Sequence, residues 1–144
     1  MSPEQYERVR SAVLAFVAKG GKLRRGEWGV AFANGLLFGD EGDPHSAWVL
    51  APGSCACALG AFVFETQPKP KRAPNGEAMP CETIAEVLGT RSSLVMSFAC
   101  GFDGTAPYRG HESAPEEMRA WYLAGVRMRE ELGTPNVKPK RVEF

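Results

Sequence analysis

The chain has four cysteines, at positions 55, 57, 81 and 100, and two histidines, His45 and His111. These are its best candidates for nucleophilic or metal chemistry, and their spacing limits both. A closed zinc shell takes about four ligands, yet no Cys-x-x-Cys pair occurs, since Cys55 and Cys57 are separated by one residue. A structural zinc site is therefore not expected, and no metal ligand or other cofactor is assigned. Cys55 follows Gly53-Ser54, and Ser54 reads as the cap of a helix over 55–65. A helix N-terminus stabilises a thiolate, which makes Cys55 the candidate nucleophile of a cysteine-dependent enzyme. That enzyme would need His45 or His111 alongside as base, and the surrounding residues match no nucleophile motif. A buried strand over 58–64 competes with the helix, because a short apolar run fits either period. Cys57 reads as a small core residue. Asp40, Glu41, Asp43 and Asp103 stand in turns without the ligand alternation of a calcium loop. There is no Gly-rich phosphate loop, paired-carboxylate motif or serine elbow. No catalytic residue is assigned.

Charge offers a different chemistry. Lys19, Lys22, Arg24 and Arg25 form one basic cluster, Lys69, Lys71 and Arg72 a second, and Lys138, Lys140 and Arg141 a third. The 17 basic residues are matched by 17 acidic ones, so the net charge is zero. No global field draws the chain to nucleic acid or to a membrane. The second cluster lies among Pro68, Pro70, Pro74 and Pro80, in a segment over 67–80 that reads as an extended, solvated loop. The third lies in a tail over 136–144 without periodicity. Lys69, Lys71, Arg72, Lys138, Lys140 and Arg141 are the candidate partner-binding residues, and the partner expected is a protein with an acidic surface.

A further pattern spans 84–101. Ile84, the small Ala85 and Leu88 suit a first helix, Gly89 a turn, and Val95 and Phe98 the inner face of a second helix. The unit resembles the helix-turn-helix of DNA-binding regulators. That resemblance implies a recognition helix opening at Arg91, Ser92 and Ser93. Beyond them stand Met96, Ser97, Ala99 and Cys100, with no further base to reach phosphates or base edges. A packed helical corner is the favoured reading and DNA binding the second. Separately, Cys57-Ala58-Leu59-Gly60-Ala61, then Leu88-Gly89 and Gly101-Phe102-Asp103-Gly104, resembles a pattern found in small uncharacterised bacterial proteins. It implies no activity and no site residue.

The elements that would position these groups are readable in part. Ser2, Pro3 and Gln5 form a capping box with proline at the first helical position. Tyr6, Val9, Val13, Phe16 and Val17 recur at helical spacing until Gly20-Gly21, which predicts a helix over 3–19. Asn34-Gly35 between apolar runs predicts a hairpin pairing 28–33 with 36–39, because both turn positions need positive φ. A third strand is possible over 47–50. Helices are expected over 81–88 and 92–102. Ser113 and Glu116 read as a second capping box before a helix ending at Leu132, where Gly133 and Pro135 stop it. Gly60 and Gly125 fall inside helices at a cost of about 1 kcal/mol each relative to alanine. At least one of them is expected at a helix crossing.

A chain of 144 residues buries about 70% of its unfolded surface and needs no staples. The N-terminus carries no secretory pattern, and the longest apolar run, 55–64, is about half a membrane span. A soluble cytoplasmic protein with reduced cysteines and no membrane partner is expected. The fold expected is a single α+β domain over 1–144, with four to five helices packed on a small antiparallel sheet built on the Asn34-Gly35 hairpin. Val9, Val13, Phe16, Val30, Phe32, Leu37, Leu59, Phe62, Val87, Leu88, Val95, Phe98, Met118, Trp121 and Tyr122 would form its core. The function expected is that of a non-enzymatic binding or regulatory protein acting through protein–protein contacts. The alternatives are a helix-turn-helix DNA-binding regulator and a cysteine-dependent enzyme using Cys55.

Overall fold

The structure, a computed structural model, describes residues 1–23, 37–38, 49–50, 55–66 and 81–133. Most of them lie in helices: α1 (Pro3–Ala18), α2 (Ala58–Thr66), α3 (Cys81–Leu88), α4 (Ser92–Asp103) and α5 (Pro115–Glu131). Extended backbone among the described residues is confined to two-residue stretches: β1 (Lys22–Leu23), β2 (Leu37–Phe38), β3 (Val49–Leu50) and β4 (Cys55–Ala56). β1 pairs with β4 in parallel, and β2 pairs with β3 antiparallel.

The α+β expectation is therefore corrected: the described chain is mainly helical, with five helices, and the antiparallel pairing among the described residues is only the two-residue β2–β3 ladder. The reason is physical. Ladders two residues long present too little face to organise a core. The apolar run 58–64, which fitted strand or helix equally, is helix α2. Asn34-Gly35 and 28–33 lie outside the described residues. Leu37–Phe38 pairs with Val49–Leu50, within the run read as a possible third strand.

The chain divides into two compact units, one of Met1–Arg10 with Pro80–Phe144 and the other of Ser11–Met79. In the second unit Val13, Phe16, Leu59, Phe62 and the alanines Ala58 and Ala61 are buried. Phe16 folds under the end of α1, where a Cβ on Gly21 would meet its ring. Lys19 pairs with Glu65 at 2.8 Å. Cys57 heads α2: its carbonyl accepts from the Ala61 N–H at 3.0 Å and its sulfur from the Gly60 N–H at 3.5 Å. The helix expected from residue 55 thus starts at Ala58, and Cys55 belongs to β4.

In the first unit the Ser2–Gln5 capping box forms as read. The Ser2 N–H donates to Gln5 Oε1 at 2.9 Å, and the Gln5 N–H to Ser2 Oγ at 3.1 Å. The same helix end closes α3. Gln5 Nε2 donates to the Leu88 carbonyl and an Arg8 guanidinium nitrogen to the Val87 carbonyl, both at 2.8 Å. These are carbonyls that a helix C-terminus leaves without intrahelical partners. Ile84, Leu88, Leu94, Val95, Phe98, Phe102, Trp121, Tyr122 and Met128 form the buried core of this unit. Val87 and Met118, expected inside, are half-buried. The side chains of Val30, Phe32 and Leu37 lie outside the described residues.

Glu131 ties α5 back to α1. It accepts from the Tyr6 hydroxyl at 2.7 Å and from Arg10 Nε at 2.5 Å, while Arg127 stands 4.7 Å over the Tyr6 ring. These two donors hold the Glu131 carboxyl below its ordinary value of 4.5. A carboxyl whose folded-state value is depressed stabilises the fold above its unfolded value and loses that contribution as pH falls through the folded one. Wild type should therefore melt above Glu131→Gln at neutral pH, and the gap should close as the buffer is taken well below pH 4.5. A gap in melting temperature that ignores pH would refute the role given to this carboxylate.

Candidate functional site

The connection between α4 and α5, residues 104–114, is fastened at both ends. Gly104 ends α4 in the left-handed region, at φ 72°, a conformation glycine takes without penalty. The Thr105 N–H then donates to the Cys100 carbonyl at 3.0 Å, and the Tyr122 hydroxyl donates to the Thr105 carbonyl at 2.7 Å. Burial pushes the Tyr122 phenol up from its ordinary value, so it remains a donor across the physiological range.

At the far end an Arg91 guanidinium nitrogen donates to the Glu112 carbonyl at 3.2 Å, and the same group lies 3.7 Å from the Glu117 carboxylate. Ser113 is buried and shares a 2.5 Å hydrogen bond with the buried Ser93 hydroxyl. This corrects the second capping box. Ala114 occupies the cap of α5 with no side-chain bond, and Pro115 begins the helix. Ser113 pairs across to α4 instead, an outcome its position in the chain does not signal.

The fastened loop roofs a cleft of about 420 Å³, within the size range of small-ligand and anchor-residue pockets. Ser97 comes from α4, residues 107–111 from the loop, and Pro115, Glu116, Met118, Arg119 and Tyr122 from α5. Pro107, Tyr108, Pro115, Met118 and Tyr122 make its surface largely carbon. Arg109, His111, Glu116 and Arg119 are exposed at its edge. Arg109 and His111 make no hydrogen bond or ion pair among the described residues. Gly110 lets the loop bend tightly, since a Cβ there would meet the Tyr108 ring and the Glu112 carboxylate.

The arrangement suits binding. A nucleophile needs a base within hydrogen-bond reach. The Ser97 hydroxyl donates to the Ser93 carbonyl at 2.9 Å, and no hydrogen bond links it to His111. Among the described residues no three histidine, cysteine or acidic side chains gather as a metal site. No helix among them is long and apolar enough to cross a membrane.

Of the residues singled out by sequence, His111 lines this cleft. Lys69, Lys71, Arg72, Lys138, Lys140, Arg141 and His45 lie outside the described residues. The Cys55 backbone is in β4, so the argument that placed its thiol in the first turn of a helix does not hold. Two helices joined by a turn do form here, α3 and α4 with Gly89 between them at φ 69°. Of the 12 residues of α4, however, 8 are buried, and the rest are Ser92, Met96, Cys100 and Asp103. Arg91, the one base at its head, holds the 104–114 loop. Tyr108, Arg109 and Arg119 were missed. Their signal was a polar, aromatic connection between two helices, the kind of loop on which binding residues concentrate. No protein-family model matches the chain, and neither a curated protein nor a solved structure is found similar to it.

Proposed function

We propose that the protein is a non-enzymatic binding protein that docks an acidic segment of a partner protein, and that the cleft under residues 104–114 receives it. The observation that carries this reading is the cleft itself. It has carbon-rich walls, a roof tied down at both ends, and Arg109 and Arg119 against Glu116 at its edge. An apolar anchor residue would enter the cavity, and flanking carboxylates would meet the Arg109 guanidinium, with the positive charge of Arg119 adding to the field at the edge. The basic clusters Lys69, Lys71 and Arg72, and Lys138, Lys140 and Arg141, would add salt-sensitive steering of the same partner. The DNA-binding reading is weaker, because α4 turns most of its surface into the core and Arg91 is engaged with Glu112 and Glu117.

An array of short peptides pairing one aromatic or aliphatic anchor with flanking carboxylates tests the proposal. Binding should be selected from acidic members, fall with added salt, and weaken about tenfold or more in Arg109→Glu/Arg119→Glu. Thermal unfolding should stay nearly unchanged in that variant, because exposed charges contribute little to stability. Binding indifferent to the two arginines would overturn the proposal, as would sequence-specific DNA binding that maps to Arg91, Ser92 and Ser93.

A further inference from the structure

A thiol and a thioether meet where α3 and α4 pack together, with a second thiol one helical turn further along α4. Cys81 is the first residue of α3. Its Sγ lies 3.1 Å from the Met96 Sδ on α4. Cys100 follows Met96 by four residues on the same helix, which puts the two side chains one above the other on one face. Burial above all pushes the Cys81 thiol up, and the charge of Cys100, within electrostatic reach, adds to the shift. Cys81 and Cys100 are both free of disulfides, and all three residues are half-buried. No imidazole or carboxylate completes the group as a zinc shell among the described residues.

Two thiols and a thioether are soft donors. Such a set disfavours zinc, which takes about four ligands with nitrogen or thiolate predominating, and favours a soft monovalent ion. We propose that Cys81, Met96 and Cys100 form a three-sulfur site for copper(I). The ion enters from the open side of α4, both thiols ionise, two protons leave, and the thioether completes a trigonal shell. Cys81 Sγ and Met96 Sδ would part to admit the ion, the Cys100 side chain would turn toward it, and half-burial limits competition from water.

The test is an anaerobic titration of the full chain with copper(I) against a coloured copper(I) chelator. The wild type should withhold a single equivalent. Cys81→Ser and Cys100→Ser should lose that retention, and Met96→Leu should hold the ion more weakly while keeping the wild-type circular dichroism spectrum without metal. X-ray absorption of the loaded protein should show sulfur neighbours only. A chain that yields all its copper to the chelator overturns the proposal. So does retention unaffected by Cys81→Ser and Cys100→Ser, which would move the ion to Cys55 and Cys57, and so does a nitrogen or oxygen neighbour in the absorption spectrum.

Discussion

Leucine at Gly125 should destabilise the helical unit by about 3 kcal/mol, the upper end of what overpacking costs. The obstacle is backbone rather than a side chain that can swing away. A Cβ at Gly125 would collide with the Phe98 carbonyl and stand 2.7 Å from the Phe102 nitrogen. Gly101 on the facing helix is its counterpart, where a Cβ would collide with the Tyr122 carbonyl. α4 and α5 therefore cross with their backbones nearly touching, each glycine lying against the other helix. Alanine sharpens the test. On an open helix surface Gly→Ala stabilises by about 1 kcal/mol, whereas Gly125→Ala and Gly101→Ala should each lower the urea midpoint. Wild-type midpoints in the alanine and leucine variants alike would show that the helices can part without loss.

This crossing was half legible in the sequence. Gly125 inside a helical pattern asked for a close approach, and it has one. Gly101 lies inside the helix expected over 92–102 and carries the same signal, while Gly104 three residues on ends that helix. Capping and period gave α1, α3 and α4 to within a residue or two, since each has local stop and start chemistry: Ser2 with Gln5, Gly89, and Gly104. Local chemistry failed where a side chain found a distant partner. Ser113 had the spacing of a cap and went to Ser93, so α5 starts two residues beyond it. The run 58–64 fitted either period, and the helix starting at Ala58 removed the thiolate argument from Cys55. The cleft was the least legible feature. Tyr108, Arg109 and His111 acquire their setting from bonds made by Arg91, Ser93 and Tyr122, none of which is adjacent in the chain.

The Ser93–Ser113 bond is the fastening with the most at stake. Both hydroxyls are buried, at 3% and 8% exposure, and they lie 2.5 Å apart. Removing one leaves the other buried without its partner, a loss of about 1–3 kcal/mol. Removing both at once leaves no orphaned hydroxyl. Ser93→Ala and Ser113→Ala should thus each destabilise by about 1–3 kcal/mol, while the double variant should fall well short of their sum. A double-mutant cycle by chemical denaturation measures that coupling directly. Ser93→Ala keeps the carbonyl that the Ser97 hydroxyl uses, so the cycle reports on the side-chain bond alone. The same bond anchors the end of the loop that carries Arg109 and His111 over the cleft. The double variant should therefore bind acidic peptides more weakly even though its stability is largely restored, because a loop no longer held in place must be ordered on binding. Additive stability losses, or full peptide affinity in the double variant, would show that Arg91 and Tyr122 hold the loop without help from the serines.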